Sequence, residues 1–409
     1  MPLSRPERVE RRARVPRTSR HETADGPETC GYIIHGENLS SAHYRRVRHQ
    51  LRTDPKVWLI TGAAGFIGSN LLEDLLALGQ TVVGLDNFST GHRANLDEAL
   101  VGNPGAERFR MVEGDIRDLD TCRAACKGVD FVLHHAALGS VPWSINDPVE
   151  TNSVNVNGFL NILLAAKEAG VSRVVYASSS AVYGDIADYP QVEERTGRVL
   201  SPYAASKATN ETYAQAFQAC YGLQTVGLRY FNVFGRRQDP AGAYAAVIPR
   251  WIDNLLHGRP CQIFGDGETT RDFCYVANVI QANLLAACAD RDATGEVYNV
   301  ACAHSVSLNE LFTMLRDQLA LENPAFARAK PAYENFRPGD IRFSCAAIEK
   351  ARTKLAFSPT HDVGDGIAEA FAWYAKKARG NSTDGRTRPV LGSKPRNSRN
   401  NAHSLLAAS

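Results

Sequence analysis

The 409-residue chain is 44% hydrophobic and 22% charged, which provides apolar material for one large globular unit or at most two domains. Its formal net charge of +2 gives no electrostatic drive toward nucleic acid, and no apolar run approaches the ~20 residues of a membrane-spanning helix. The nine cysteines include no CxxC pair, so we expect reduced thiols, no bound metal and a cytoplasmic protein.

The two ends of the chain differ in kind from the rest. Residues 1–39 are rich in arginine and poor in large apolar side chains, and residues 379–409 have a similar composition. Such segments cannot bury enough surface to offset the entropy of ordering. We therefore predict a disordered basic N-terminal extension, a disordered C-terminal tail and a globular region between them.

The globular region begins with a glycine-rich stretch between a strand and a helix. Val57–Ile60 is a short apolar run, and the sequence TGAAGFIG follows it, with Gly62, Gly65 and Gly68. Leucines at helical spacing come next. In this context the first glycine permits a tight turn, the second lets backbone N–H groups approach a pyrophosphate, and the third allows close helix packing. The helix N-terminus adds partial positive charge. The stretch predicts a dinucleotide site.

A second apolar run, from Thr81 to Leu85, ends at Asp86, 24 residues after Gly62. A carboxylate at this place accepts hydrogen bonds from the adenosine ribose and repels a 2′-phosphate, which favours NAD over NADP. Further strands are predicted before Asp115–Ile116 and before Ala136, and their ends would meet the same ligand.

Short apolar runs continue to alternate with helical segments as far as residue 231. Helices are predicted over Val154–Ala169 and Ser206–Tyr221, and strands over Val174–Ala177 and Thr225–Phe231. This alternation is typical of an α/β fold in which helices cover both faces of a doubly wound, Rossmann-type parallel sheet. Beyond Asn232 the elements become shorter. We predict an NAD-binding domain over 40–231 and a smaller C-terminal α/β lobe over 232–378 that mainly binds substrate.

Three residues are predicted to perform the chemistry. Ser179 lies at the end of a strand, and Tyr203 and Lys207 follow in the sequence SPYAASK. Tyr203 and Lys207 are four residues apart, so they share one helix face. A neighbouring ammonium is expected to lower the pKa of the phenol, which suits it to remove a proton from a sugar hydroxyl. Ser179 would complete the hydrogen-bond path.

The sequence resembles the extended short-chain dehydrogenase/reductase family through TGAAGFIG, Asp86, HHAA (134–137), SSSAVYG (178–184) and YAASK (203–207). The stretches NVNG (155–158), LRYFNVFG (228–235), FGDGETTRDF (264–273) and RPGD (337–340) resemble nucleotide-sugar 4-epimerases. Two longer stretches, 137–148 and 229–249, are similar to the bacterial UDP-N-acetylglucosamine 4-epimerases of surface-polysaccharide pathways. The resemblance spans nearly all of 40–378.

The resemblance implies an NAD-dependent isomerase that inverts C4 of UDP-N-acetylhexosamines through a 4-keto sugar and usually forms a homodimer. Its implied catalytic residues are Ser179, Tyr203 and Lys207. Cofactor contacts are implied for Gly62, Gly65, Phe66, Ile67, Gly68, Asp86, Asn87, Asp115, Ile116, Ala136, Asn155, Tyr203, Lys207 and Phe231. Substrate contacts are implied for Ser140, Ser179, Ser180, Tyr203, Asn232, Val247, Arg271, Arg337, Asp340 and Ser344.

Within these contacts, the guanidinium groups of Arg271 and Arg337 would bind the diphosphate, and Asp340 would accept from the uridine ribose. Arg236 and Arg237 remain open between phosphate binding and ion pairing. His134 and His135 are interpreted as packing residues. The family resemblance also places Ser344 beside the C2 substituent of the sugar, where a small side chain leaves space for an N-acetyl group.

Several alternatives stay open from the sequence. A UDP-glucose/UDP-galactose 4-epimerase and a uronic-acid epimerase have the same motifs. The 4,6-dehydratases and uronic-acid decarboxylases of this fold carry carboxylates just after the catalytic serine or threonine, where this chain has Ser180 and Ala181. An NAD-sensing module usually lacks the tyrosine or the lysine. A dehydrogenase that releases NADH would differ in accumulating reduced nicotinamide.

Overall fold

The computed structural model describes residues 39–241, 245–336 and 341–382. The strands in these ranges are β1 (Val57–Thr61), β2 (Thr81–Asp86), β3 (Phe109–Glu113), β4 (Phe131–His134), β5 (Arg173–Ser179), β6 (Thr225–Tyr230), β7 (Val233–Phe234), β8 (Gln262–Phe264), β9 (Thr270–Asp272), β10 (Cys274–Tyr275), β11 (Glu296–Val300), β12 (Ser305–Ser307) and β13 (Ala332–Glu334). The helices are α1 (Leu39–Thr53), α2 (Phe66–Ala77), α3 (Arg93–Leu100), α4 (Leu119–Cys126), α5 (Val141–Asn146), α6 (Pro148–Asn152), α7 (Gly158–Ala169), α8 (Pro202–Tyr221), α9 (Val247–Leu256), α10 (Val276–Cys288), α11 (Leu308–Glu322), α12 (Glu349–Leu355) and α13 (Val363–Ser382).

A seven-stranded parallel sheet forms the centre of the molecule, in the order β11-β6-β5-β4-β1-β2-β3. Its inner strands are continuous apolar runs because helices cover both faces and exclude water from both. The order reverses between β1 and β4, so the loops that follow these two strands diverge and leave a crevice at their carboxyl ends. The prediction of a Rossmann-type doubly wound sheet is confirmed.

The predicted boundary at residue 232 needs correction. The run around Val297–Val300, which we assigned to the smaller lobe, is β11, and it pairs in parallel with β6 at the edge of the central sheet. Helix α10 packs against β5 and β6 on the same sheet. The chain therefore leaves the sheet after β6 and returns to it before the smaller lobe is complete. The local pattern of a short apolar run does not reveal which sheet it joins.

The smaller lobe has a separate core of buried side chains from α9, α11 and α13, including Trp251, Leu315 and Phe371. Three two-stranded sheets accompany these helices: β10-β7, β12-β9 and β13-β8. Residues next to and within these elements, including Ala246 and Arg271, line one side of the crevice, and the predicted substrate-binding role of the lobe stays a prediction.

Helix ends differ from prediction where side chains or irregular turns define them. Helix α8 begins at Pro202 because the Ser201 hydroxyl accepts a hydrogen bond from the Ala204 amide. Helix α7 begins at Gly158, after a wider π-type turn over Ser153–Asn157. Helix α13 continues through Ser382, four residues beyond the predicted end of the globular region. Most of the two predicted tails, 1–38 and 383–409, lies outside the described residues. No helix in the described ranges is both long and apolar enough to cross a bilayer.

Candidate active site

The predicted glycine loop connects β1 to α2, and its geometry explains the glycines. Gly62 has φ +70°, and a Cβ on it would lie 2.8 Å from the Ala136 amide nitrogen. A Cβ on Gly68 would lie 2.0 Å from the Gly62 carbonyl oxygen, so the first turn of α2 rests directly on the loop. The backbone N–H groups at the start of α2 consequently line an open, Cβ-free surface, which suits a pyrophosphate.

Asp86 lies at the end of β2, beside this loop. Its Oδ2 accepts a hydrogen bond from the Ala64 amide at 2.9 Å, and its Oδ1 accepts from the Phe88 amide at 2.8 Å. Burial raises the pKa of this carboxyl, although the two amide donors act in the opposite direction. Each carboxylate oxygen has two lone pairs, so ribose hydroxyls can still donate to it. Asp86 therefore shapes the loop and also presents negative charge to the crevice.

The end of β3 supplies a second polar wall. The Asn87 side chain donates to Asp115 at 2.9 Å, and Arg117 hydrogen-bonds the same carboxylate and holds its pKa at about 2. Ile116 is buried beside them. Asp115 is consequently ionised, and it fixes Asn87 at the edge where the adenosine end of a dinucleotide would lie.

Ser179, Tyr203 and Lys207 come together at the end of β5, as the sequence predicts. Ser179 Oγ accepts from the Ala181 amide at 3.1 Å, which orients the hydroxyl, and the Ser179 side chain lies close enough to the Tyr203 phenol to influence its pKa. The Lys207 ammonium donates to the Ala177 carbonyl at 2.8 Å. All three residues line the crevice. This grouping can transfer a proton to and from a hydroxyl that is bound beside Tyr203.

The pKa of the Tyr203 phenol differs from the sequence prediction. Burial raises the pKa of the Tyr203 phenol above its usual value, and the nearby Ser179 side chain opposes that rise. Lys207 is turned toward a backbone carbonyl, and burial lowers its own pKa to about 8. The net shift of the phenol pKa is therefore upward, opposite to the predicted direction, because sequence spacing does not reveal burial.

The remaining predicted substrate residues fall into three groups. Ser180, Asn232, Arg271 and Ser344 line the crevice. Ser140 instead caps α5, where its hydroxyl accepts from the Trp143 amide at 3.1 Å. Val247 begins α9 and packs against the core of the smaller lobe. Arg337 and Asp340 lie outside the described residues.

Two predicted cofactor residues lie behind the crevice wall. Asn155, within the π-type turn, accepts from the Leu138 amide at 2.8 Å and donates to the Leu138 carbonyl and the Ser206 hydroxyl, both at 3.1 Å. It therefore ties the loop after β4 to α8. Phe231 is fully buried and packs on Tyr183, with ring centroids 5.9 Å apart. Both positions support the wall, and their predicted direct contact with NAD stays a prediction.

Arg236 and Arg237 form ion pairs between the two lobes. Arg236 pairs with Glu73 of α2 at 2.8 Å, and the nearly buried Arg237 donates to the same carboxylate at 2.5 Å. Glu98 of α3 lies 3.4 Å from Arg237. The alternative that the sequence left open is therefore resolved toward ion pairing, which holds the segment after β7 against the glycine-loop helix.

The crevice has a volume of about 1080 Å³ and extends from Asp86 and Asp115 past the glycine loop to Tyr203 and Arg271. Its glycine-lined floor, helix N-terminus and acidic end fit an extended dinucleotide. Sequence reasoning missed other lining residues, which include His135, Trp143, Gln191 and Gln238. His135 was interpreted as a packing residue, and only its place directly after β4 could have indicated that it faces the crevice.

Comparison with known proteins places this architecture in a family. The NAD dependent epimerase/dehydratase family matches residues 58–301. This chain belongs to that family. The match includes the glycine loop and the Ser179–Tyr203–Lys207 group, and the family's cofactor, NAD, agrees with the crevice.

Individual relatives cover most of the chain. The UDP-glucose 4-epimerase of Mycolicibacterium smegmatis is 37% identical over 323 residues, covering 78% of this chain and 99% of that protein. The UDP-N-acetylglucosamine 4-epimerase of Methanobrevibacter ruminantium, solved with UDP-N-acetylmuramic acid, is 38% identical with a TM-score of 0.73, covering 79% and 99% of the two chains. The UDP-glucose 4-epimerase of Thermus thermophilus, solved with NAD, is 33% identical with a TM-score of 0.68, covering 78% and 99%.

Proposed function

We propose that the protein is a UDP-sugar 4-epimerase that interconverts UDP-N-acetylglucosamine and UDP-N-acetylgalactosamine. The observation that carries the proposal is that Tyr203 and Ser179 line the crevice together at a strand end that continues into Ser180 and Ala181, without a carboxylate. A proton-transfer group is present there, but the acid–base pair that a dehydratase needs to expel a hydroxyl is absent from this strand end. Relatives named as UDP-sugar 4-epimerases support the same activity.

The chain's own residues account for the proton and for binding. Tyr203 takes the proton from the sugar O4 and later returns it, while Ser179, beside the phenol, orients it. Lys207 supplies positive charge near the phenolate. NAD, held by the glycine loop and Asp86, would supply the hydride acceptor and donor for C4, and its positive charge would favour the phenolate form of a nearby phenol. The Arg271 guanidinium lines the crevice where a diphosphate would lie.

The acetamido preference rests on Ser344. This serine lines the crevice and is only 9% exposed, so its small side chain borders a space that a bulkier residue would fill. A UDP-glucose/UDP-galactose 4-epimerase is the competing function, because relatives with that name cover the chain equally well. The proposal also includes a cytoplasmic homodimer that supplies UDP-N-acetylhexosamines for surface polysaccharides.

Ser344→Tyr tests this preference. We expect the variant to lose activity on UDP-N-acetylglucosamine and UDP-N-acetylgalactosamine far more than on UDP-glucose and UDP-galactose, since overpacking costs about 1–3 kcal/mol. Rates with all four sugars are read from product formation by NMR. Ser344→Ala, which keeps the space open, is the control and should retain the wild-type preference. An equal loss on all four sugars, or none, would remove Ser344 from the argument.

A further inference from the structure

A buried ion pair, Glu211–Arg229, lies about one turn of α8 from Lys207, and neither of its residues lines the crevice. Arg229 of β6 donates through Nε to Glu211 Oε1 at 2.9 Å and through Nη2 to Oε2 at 2.8 Å. Glu211 is 9% exposed and Arg229 is 4% exposed. A two-point guanidinium–carboxylate contact fixes both groups in direction as well as in distance. The geometry of the pair is therefore defined by α8 and β6 together.

Neighbouring groups also fix the ion pair in place. Ser178 Oγ donates to Glu211 Oε1 at 2.5 Å, and Arg229 Nη1 donates to the Glu193 carbonyl at 3.0 Å. The guanidinium carbon also lies 4.8 Å from the centre of the Tyr183 ring. The carboxylate thus accepts three hydrogen bonds and has little freedom to move.

The pair is connected to Lys207 through two elements. Lys207 and Glu211 are four residues apart on α8, so they lie on one face in successive turns. Lys207 donates to the carbonyl of Ala177, and Ser178, the next residue of β5, donates to Glu211. The ammonium and the carboxylate are consequently held by consecutive residues of the strand that carries Ser179.

The charge of Glu211 matters because Lys207 is only 2% exposed. Burial lowers the pKa of Lys207 to about 8, and the negative charge of Glu211 acts against that shift. The other titratable groups facing Lys207 are Tyr203 on its own helix and two histidines, one at the end of β4 and one directly after it. Burial lowers the pKa of His134 well below its usual value and that of His135 to about 3, so both are neutral at pH 7. Within the described residues, the compensating carboxylate is Glu211.

We propose that Glu211 is a positioning residue for the reaction. Arg229 and Ser178 hold its carboxylate in place, and this carboxylate keeps Lys207 protonated beside Tyr203. This inference rests on the proposed role of Lys207. Under this proposal, the spacing of four residues between Lys207 and Glu211 has a function, and so does Arg229, 18 residues after Glu211.

Opposite charge changes should have opposite effects on the pH–rate profile. Glu211→Gln removes the carboxylate and leaves Arg229 charged, so Lys207 should lose its proton more readily. We expect the alkaline limb of kcat/KM to move down by about one pH unit. Arg229→Met leaves Glu211 as an unpaired negative charge, and the alkaline limb should move up. If the pair had a purely structural role, both variants would lower the rate, but their alkaline limbs would not move in opposite directions.

A second readout is independent of turnover. The rate at which trace acetic anhydride acetylates Lys207, followed against pH by mass spectrometry, reports its protonation directly. Exposed Lys127 of the same molecule serves as the internal reference. The midpoint for Lys207 should fall in Glu211→Gln and rise in Arg229→Met, whereas the Lys127 profile should stay constant.

Breaking a buried pair can prevent folding, so the double variant Glu211→Met/Arg229→Met is included, because apolar replacement of both partners is often tolerated. It should fold, and the Lys207 midpoint should lie below that of the wild type. Unmoved midpoints, or failure of every variant to fold, would assign the pair to stability alone and overturn the proposal. A wild-type protein that epimerises no nucleotide sugar would instead refute the proposed function.

Discussion

Tyr203→Phe is expected to lower kcat by about a hundredfold or more. The substitution removes the phenolic oxygen and keeps the ring, so it removes the group that would exchange a proton with the sugar O4. The interaction of the phenol with Ser179 is lost, whereas the buried aromatic ring is kept. Initial rates of UDP-sugar epimerisation measure the effect, and the NAD content and melting temperature should remain near those of the wild type.

Tyr213→Phe provides a matched control. Tyr213 lies on the same helix, is 36% exposed and does not line the crevice. The same chemical change there should leave kcat within about twofold, because exposed substitutions rarely have large effects. If Tyr203→Phe were as active as Tyr213→Phe, another group would have to act as the base.

Gly68→Ala is expected to remove the bound dinucleotide. The added Cβ would lie 2.0 Å from the Gly62 carbonyl oxygen and 2.9 Å from the Ala63 Cα, and both are backbone atoms that cannot turn aside. Helix α2 must then separate from the glycine loop, which displaces the N–H groups that face the pyrophosphate. Overpacking of this kind costs about 1–3 kcal/mol in stability, and we expect NAD content to fall to a small fraction of that of the wild type.

The control is Gly364→Ala, near the start of α13. A Cβ at Gly364 meets only the Asp362 carboxylate, at 3.3 Å, and this flexible side chain can move. NAD released from each denatured protein is quantified by chromatography, alongside the melting temperature. Full NAD occupancy in Gly68→Ala would show that the loop tolerates a wider spacing and that Gly68 does not define the cofactor site.

Local sequence patterns predicted the parts of this protein that depend on local geometry. The glycine loop could be predicted because a strand, a turn and a helix follow one another along the chain, and Tyr203 and Lys207 because helical spacing places them on one face. The edge position of β11 could not be predicted, since a run such as Val297–Val300 pairs with β6 only in the folded sheet. The predicted domain boundary at residue 232 was wrong for the same reason.

Predictions that depended on burial or on distant partners were also incomplete. The pKa of Tyr203 is raised because surrounding elements exclude water, and spacing from Lys207 carries no information about that exclusion. Asn155 was predicted to contact the cofactor, and the motif carries no information about the hydrogen bonds that its amide forms with the backbone of Leu138. The contact between Glu211 and Arg229 joins a helix to a strand and becomes visible only in the structure.

The most direct test of the account follows hydrogen at C4. UDP-N-acetylglucosamine carrying deuterium at C4 is incubated with the purified protein without added NAD, and the products are followed by proton NMR. We predict conversion to UDP-N-acetylgalactosamine with deuterium retained at C4, because hydride leaves and returns within one site while only the O4 proton exchanges through Tyr203. Loss of the deuterium to solvent, accumulation of free reduced nicotinamide with a 4-keto sugar, or no conversion of this substrate would contradict the account.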